Sequence, residues 1–245
     1  MNEGKEIIEF TKGLISNTAK IDDIIDKAIE PIKDYTDTLG DIIGPVKAFI
    51  SIINLKRKAT FKAFIMNYSE QLENGYIMDE EETGRLENFF QNKHNLQYVV
   101  EVIDSAVNAK SFKGAALLGV IAGKVIKAKG EITFDQVSLA ETLRVMTDFD
   151  IENFVTLYEY LPVIGRTHEE TNEYRTRDFY DDDNQNKIKV DRMSLEMTIE
   201  KLKRTNGLTY SEGGIGNAGN AKGAFETNDV TNELYSLIKS TKIAE

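Results

Sequence analysis

With 245 residues, 41% of them hydrophobic, the chain can bury one large core or two small ones. It has no cysteine and only two histidines, His94 and His168, which excludes disulfides, a thiol nucleophile, Cys-ligated metal and a His-rich metal centre. A net charge of −11 repels nucleic-acid phosphates unless a basic patch is segregated, and it suits a basic protein partner. Three prolines and no tryptophan, among many Ile, Leu, Glu and Lys, fit a helical protein. The opening MNEGKEIIEF has neither a basic start nor an unbroken apolar run, so no secretory signal is expected and the expected location is cytoplasmic.

From Ile7 to Ile53 apolar residues step by fours and threes, through Leu14, Ile21, Ile25, Ala28, Ile32, Tyr35, Leu39, Ile42, Val46 and Phe49, with Thr11 and Thr18 in the polar slots. Such stepping is a coiled-coil-like seam. Pro31 and Pro45 interrupt it, because proline ends a helix or begins one. Two or three helices sharing a bundle face are therefore expected; the sharper alternative is a homo-oligomer formed through this heptad-like seam. The apolar segment Asp41–Leu55 runs directly into Lys56, Arg57 and Lys58. It is a candidate for a membrane surface, although it lacks the strongly basic polar face such helices carry.

Phe61, Phe64, Ile65, Tyr68 and Leu72 predict a helix ending at Asn74-Gly75. Asp79 with Glu82 predicts a capped helix carrying Leu86, Phe89 and Phe90. Leu96, Val99, Val100, Ile103 and Val107 predict the next. Ser111–Gly130 is the apolar centre: GAALLGVIAG has no charge in ten residues, too few to span a bilayer, which needs about twenty. Ala115, Gly119 and Gly123 fall four apart on one stripe. Glycines inside a helix cost about 1 kcal/mol each, so the stripe predicts close crossing by another helix. Gly130 is the expected C-cap. Thr133 and Gln136 form a capping pattern before an inner face of Phe134, Val137, Ala140 and Leu143. Asp150 is the expected cap of a helix carrying Ile151, Phe154, Leu157 and Leu161, closed near Pro162.

Gly165–Asp191 is charged and poor in aliphatics, and is expected to be a linker or surface loop. After it, Met193, Leu195, Met197, Ile199 and Leu202 predict a helix ending near Asn206-Gly207. Leu208–Tyr210 and Ala224–Thr227 predict two strands flanking the glycine-rich run Gly213–Gly223. Asn228 or Asp229 caps a last helix with Val230, Leu234, Leu237 and Ile238. Helix, strand, glycine-rich tip, strand and helix is the plan of the second half of a winged-helix module.

No motif carries catalysis. Gly214, Gly216 and Gly219 satisfy G-x-G-x-x-G, but no helix opens on them and no βαβ pattern surrounds them, as a dinucleotide site requires. Asp148, Asp150, Glu152 and Glu159 match four EF-hand positions, but Asn153 stands where the loop needs glycine. Asp181–Asp183 lacks the acidic twelfth residue. Lys187, Lys189, Arg192, Lys201, Lys203 and Arg204, with Lys222 in the tip, form a locally basic surface that could meet a partner or nucleic acid. Its helix, however, offers mainly Glu and Thr outward, whereas base recognition uses Arg, Asn or Gln.

The segments KSFKGAALLGVIAGKVIKAKGEITFDQ, TDFDIENFVTLYEYL and LEMTIEKLKRTNGL…NELYSLIK resemble uncharacterised helical proteins of bacterial prophages and defence loci, the abortive-infection alpha-like group among them. The resemblance spans Pro45–Lys239 and has no catalytic signature. It implies a helical domain with a small winged-helix-like end, acting in phage–host conflict as a defence component or as a phage inhibitor of one.

Together these readings predict a mainly α fold: a multi-helix bundle over residues 1–164, a linker over 165–190 and a winged-helix-like α+β module over 191–245. They predict a non-enzymatic protein-binding role without cofactor or metal. The alternatives are a DNA-binding regulator using the C-terminal module, a weaker fit to the charge, and a membrane-acting effector that has no transmembrane segment.

Overall fold

The computed structural model of the chain describes residues 8, 11–13, 44–73, 79–166, 172–179, 181–188, 190–211 and 224–241. The protein is mainly helical with one small antiparallel sheet, and it divides into two compact units, Met1–Thr133 and Phe134–Glu245. The division falls after Thr133 rather than after residue 164, because the helices from Phe134 to Ile164 pack against the C-terminal helices.

The described residues of the N-terminal unit include the helices α1 Gly44–Glu73, α2 Glu80–Gln91, α3 Lys93–Val107 and α4 Phe112–Ala128. Pro45 stands in the first turn of α1, where its missing N–H is tolerated. Asp79 caps α2 by accepting the Glu82 N–H at 2.7 Å. One residue, Asn92, ends α2 and caps α3, accepting from the His94 and Asn95 N–H groups at 2.9 and 3.4 Å. Ser111 caps α4 through the Gly114 N–H at 2.8 Å. The last turn of α4 closes with Lys129, not Gly130, in the left-handed region at φ 50°. Lys129 is instead anchored by an ion pair with Glu82 of α2.

Twelve residues of α4 are buried, as an apolar helix without a polar face requires. Its neighbour along the small-residue stripe is α1. A Cβ on Gly119 would overlap the Phe64 carbonyl oxygen and lie 3.0 Å from the Tyr68 nitrogen. One on Gly123 would overlap Gln71 Cβ and lie 3.2 Å from the Tyr68 carbonyl oxygen. Ala115 is fully buried. Partner numbers rise along both helices together, so α1 and α4 run parallel. Phe61, Phe64, Ile65, Tyr68 and Leu72 of α1 join Leu86, Phe89 and Phe90 of α2 and Tyr98, Val99 and Val102 of α3 in the core. Thr11, a polar slot of the N-terminal seam, is buried here with its hydroxyl 3.0 Å from that of Tyr68. Residues 14–43 of the seam, and the Asn74-Gly75 pair, lie outside the described residues.

The C-terminal unit contains α5 Phe134–Val145, α6 Asp148–Ile164, β1 Glu173–Arg175, α7 Thr176–Phe179, α8 Asp182–Ile188, α9 Arg192–Arg204, β2 Thr209–Ser211, β3 Ala224–Glu226 and α10 Asp229–Ser240. The segment expected to be a linker thus supplies a strand and two short helices. Its few apolar residues explain this: Tyr174, Phe179 and Ile188 are all buried. Strand order is β1-β3-β2, with Tyr174 and Tyr210 both opposite Phe225. The Phe225 ring lies 5.8 Å from that of Tyr174 and 5.1 Å from that of Phe179.

Two local expectations are corrected. Thr147, not Asp150, caps α6; Asp150 is the third residue of its capping box. On α5 the inner face is Leu139, Ala140 and Leu143, with Ser138 and Thr142, while Phe134 and Val137 are exposed. Residues 138, 139, 142 and 143 form a helical stripe, and Phe134 and Val137 lie at its N-terminal margin. Asn228 caps α10 with Thr231 as its reciprocal partner. The Thr231 hydroxyl also donates to the Gly207 carbonyl at 2.5 Å, tying α10 to the turn after α9.

Candidate protein-docking face

The expected basic surface centres on α9, so its construction decides what it can bind. Asp191 starts the helix by accepting the Ser194 N–H at 2.9 Å. Leu195, Thr198, Ile199 and Leu202 form its buried stripe. After Thr205 the chain turns through Asn206, whose φ of 57° is left-handed, a region that asparagine tolerates.

A polar network joins α9 to α6. Asn153 Nδ2 donates to Ser194 Oγ at 2.8 Å and to Thr198 Oγ1 at 3.1 Å. Thr198 Oγ1 donates to Asp150 Oδ1 at 3.0 Å, and Lys201 Nζ to Asp150 Oδ2 at 2.5 Å. The same carboxylate accepts from the Thr147 N–H at 2.7 Å and the Thr147 hydroxyl at 2.6 Å. Burial pushes the Asp150 carboxyl up, but Lys201, Thr147 and Thr198 together outweigh it and hold it below its ordinary value. Of the acidic pattern at Asp148–Glu159, Asp150 is thereby engaged within the fold. The backbone is a continuous helix from Asp148, and Asp150 is fully occupied. Among the described residues, no group of three or more His, Cys, Asp or Glu could hold a metal.

Two further cations of α9 lie beside carboxylates of the same helix, at its surface. Arg192 Nε lies 3.5 Å from Glu196, and Lys203 Nζ 2.5 Å from Glu200 and 3.7 Å above the Tyr210 ring. Arg204 is exposed at the far end, about 18 Å along the helix from Arg192. Lys187 is exposed at the end of α8, its carbonyl accepting from the Tyr160 hydroxyl at 2.5 Å. Lys189, Lys222 and the glycine run Gly213–Gly223 lie outside the described residues.

Among its exposed charged residues α9 also presents two large apolar side chains outward: Met193 is 70% exposed and Met197 58%. They stand one turn apart, flanked by Glu196 and Glu200. Their position was readable from helical periodicity. Leu195, Thr198, Ile199 and Leu202 fall on one stripe, and at 100° per residue Met193 and Met197 point the other way. Methionine is an adaptable contact residue for protein grooves.

An open cleft in the N-terminal unit, about 370 Å3, is bordered by Arg85, Asn92, Asn95 and Lys129. Both of its cations are taken up, Arg85 by Glu81 and Glu82 and Lys129 by Glu82.

Comparison with protein-family models, with curated proteins and with solved structures finds no match for this chain.

Proposed function

We propose that the chain is a non-enzymatic protein-binding component whose C-terminal unit is a winged-helix-like docking module. The element order supports the winged-helix reading: α6, β1, α8 and α9 are followed by a β2–β3 hairpin whose second strand pairs with β1. On that reading α9 holds the recognition-helix position. The observation that carries the protein-binding conclusion is the outward face of α9. Met193 and Met197 stand free of the core, while Arg192, Lys201 and Lys203 face carboxylates of the unit itself. Phosphate binding uses cations that exchange counterions for phosphates; beside Arg192, Lys201 and Lys203 protein carboxylates take that place. A methionine pair rimmed by paired charges is instead the apolar centre and polar rim of a protein interface. The phage–host setting rests on the segment resemblance alone.

A photo-crosslinking residue at position 197 tests this in cells. It should give a discrete protein adduct that Met193→Ser abolishes, while the same group at exposed Glu233 gives none. If the purified chain instead shifts short duplex DNA, and Lys203→Gln with Arg204→Gln removes that shift, the DNA-regulator alternative replaces this one.

A further inference from the structure

The cleft of about 370 Å3 in the N-terminal unit stands where three chain segments meet: the end of α2, the start of α3 and the turn after α4. Arg85, Asn88, Phe89 and Asn92 recur at helical steps, so one face of α2 and its cap supply one wall. Asn95, in the first turn of α3, continues that wall. The ion pair of Lys129 with Glu82 holds the turn after α4 against α2. Gly130 lines the cleft there, and nothing lies within 4 Å of where its Cβ would stand, so this side is open.

Three asparagines line the space, and each keeps a polar group without a protein partner. Asn95 is the informative one, because it is only 5% exposed. Its Nδ2 donates to the Phe89 carbonyl at 3.2 Å, which fixes the orientation of the amide. Among the described residues nothing donates to its Oδ1. A buried acceptor left unmatched is costly, and native folds keep few of them. Asn92 commits its Oδ1 to the His94 and Asn95 N–H groups, which leaves its Nδ2 as a donor. The Asn88 amide and the Glu131 carboxylate also have no hydrogen-bond or ion-pair partner among the described residues.

Charge narrows the class of ligand. Arg85 and Lys129 are already paired with Glu81 and Glu82, so an anion would have to displace carboxylates of the protein. A cation would lie beside those same two side chains. What the cleft leaves open is chiefly neutral donors and acceptors. Hydroxyl groups match such a mixture, because each donates, accepts and rotates to suit. A flat base or aromatic ligand would need a ring face to stack on. The Phe89 ring is buried and packs edge-on against Phe90, with centroids 5.2 Å apart, so it offers none. The volume lies at the small end of ligand sites, which suits one sugar ring rather than a chain.

We propose that this cleft binds a neutral polyhydroxylated small molecule of monosaccharide size. One hydroxyl donates to Asn95 Oδ1, and its neighbours meet Asn92 Nδ2 and the Asn88 amide. The site uses no residue of α9, so it stands or falls apart from the docking face.

Saturation-transfer NMR on the full chain tests it with methyl glucoside, methyl galactoside, methyl mannoside and myo-inositol. Each is used at about 10 mM, above the millimolar affinity that a few hydrogen bonds in an open cleft supply. At least one should bind, and glucose 6-phosphate and glucosamine should bind about fivefold more weakly than it or not at all. Asn88→Ala removes an exposed side chain that the fold does not use, and should weaken binding about fivefold with an unchanged melting temperature. Asn95→Ala should weaken it about tenfold or more, with a thermal melt to identify loss through unfolding. Gln97→Ala, on the exposed side of α3 and outside the cleft, should leave binding unchanged. The proposal is overturned if none of the neutral probes binds, if the phosphorylated or the amino sugar binds as tightly as the best of them, or if Asn88→Ala and Gln97→Ala act alike.

Discussion

The two units hold their main helix pairs together by opposite means. In the N-terminal unit α1 and α4 meet through absence: Gly119 and Gly123 carry no Cβ, and backbone atoms of Phe64 and Tyr68 occupy the space. In the C-terminal unit α6 and α9 meet through buried polar groups, with Asp150, Asn153, Thr198 and Lys201 satisfying one another. The first contact tolerates no added atom but is indifferent to pH. The second tolerates changes of volume better, but it depends on every partner and on ionisation, because a buried charge that loses its partner keeps the whole desolvation cost.

The sharpest way to break this contrast is Gly119→Ala. The new Cβ meets backbone that cannot rotate away, so the unit should lose about 3 kcal/mol despite the better helix propensity of alanine. Denaturant unfolding followed by a probe in the N-terminal unit measures it, and a loss below about 1 kcal/mol would mean that α1 and α4 are not closely apposed.

Asp150→Ala should cost the C-terminal unit about 2 kcal/mol, discounted because Lys201 is partly exposed and can rehydrate. The pH dependence has a definite sign. The folded-state pKa of Asp150 is depressed, so its contribution is fully present above the unfolded value of about 4 and is lost as pH falls through the folded value. Urea midpoints from neutral pH down to about pH 3 should show this loss in the natural protein and a smaller one in Asp150→Asn. Identical slopes would remove the carboxylate from the account. Gly119→Ala should leave the slope unchanged.

The smallest effect isolates space from propensity. Gly84 sits inside α2 with nothing within 4 Å of where a Cβ would stand. Gly84→Ala should therefore stabilise by about 1 kcal/mol, the opposite sign to Gly119→Ala. Thermal unfolding of the two variants side by side makes the comparison.

The sequence by itself determined the helices. Periodicity placed the core stripes of α2 and α10, while on α3 the stripe expected from Leu96, Val99, Val100, Ile103 and Val107 is displaced to Asn95, Tyr98, Val99, Val102 and Ala106, with Val100 exposed. Capping residues such as Asp79 and Asn228 marked where helices begin, because caps and 3.6-residue stripes act within one or two turns. It also announced the small-residue stripe of α4, since interior glycines need a reason. Tertiary structure alone decided the rest. Which helix lies against Gly119, whether Tyr174 joins a sheet with Phe225, and that Asp150 faces Thr198 and Lys201 are pairings between residues 48 to 55 positions apart. Local sequence carries no record of such distances. Three apolar residues in a charged stretch, Tyr174, Phe179 and Ile188, were too few to signal order locally, yet each enters the core. The outward turn of Met193 and Met197 stands between these cases: periodicity encoded it, but only packing on the other face of α9 left them without a covering neighbour.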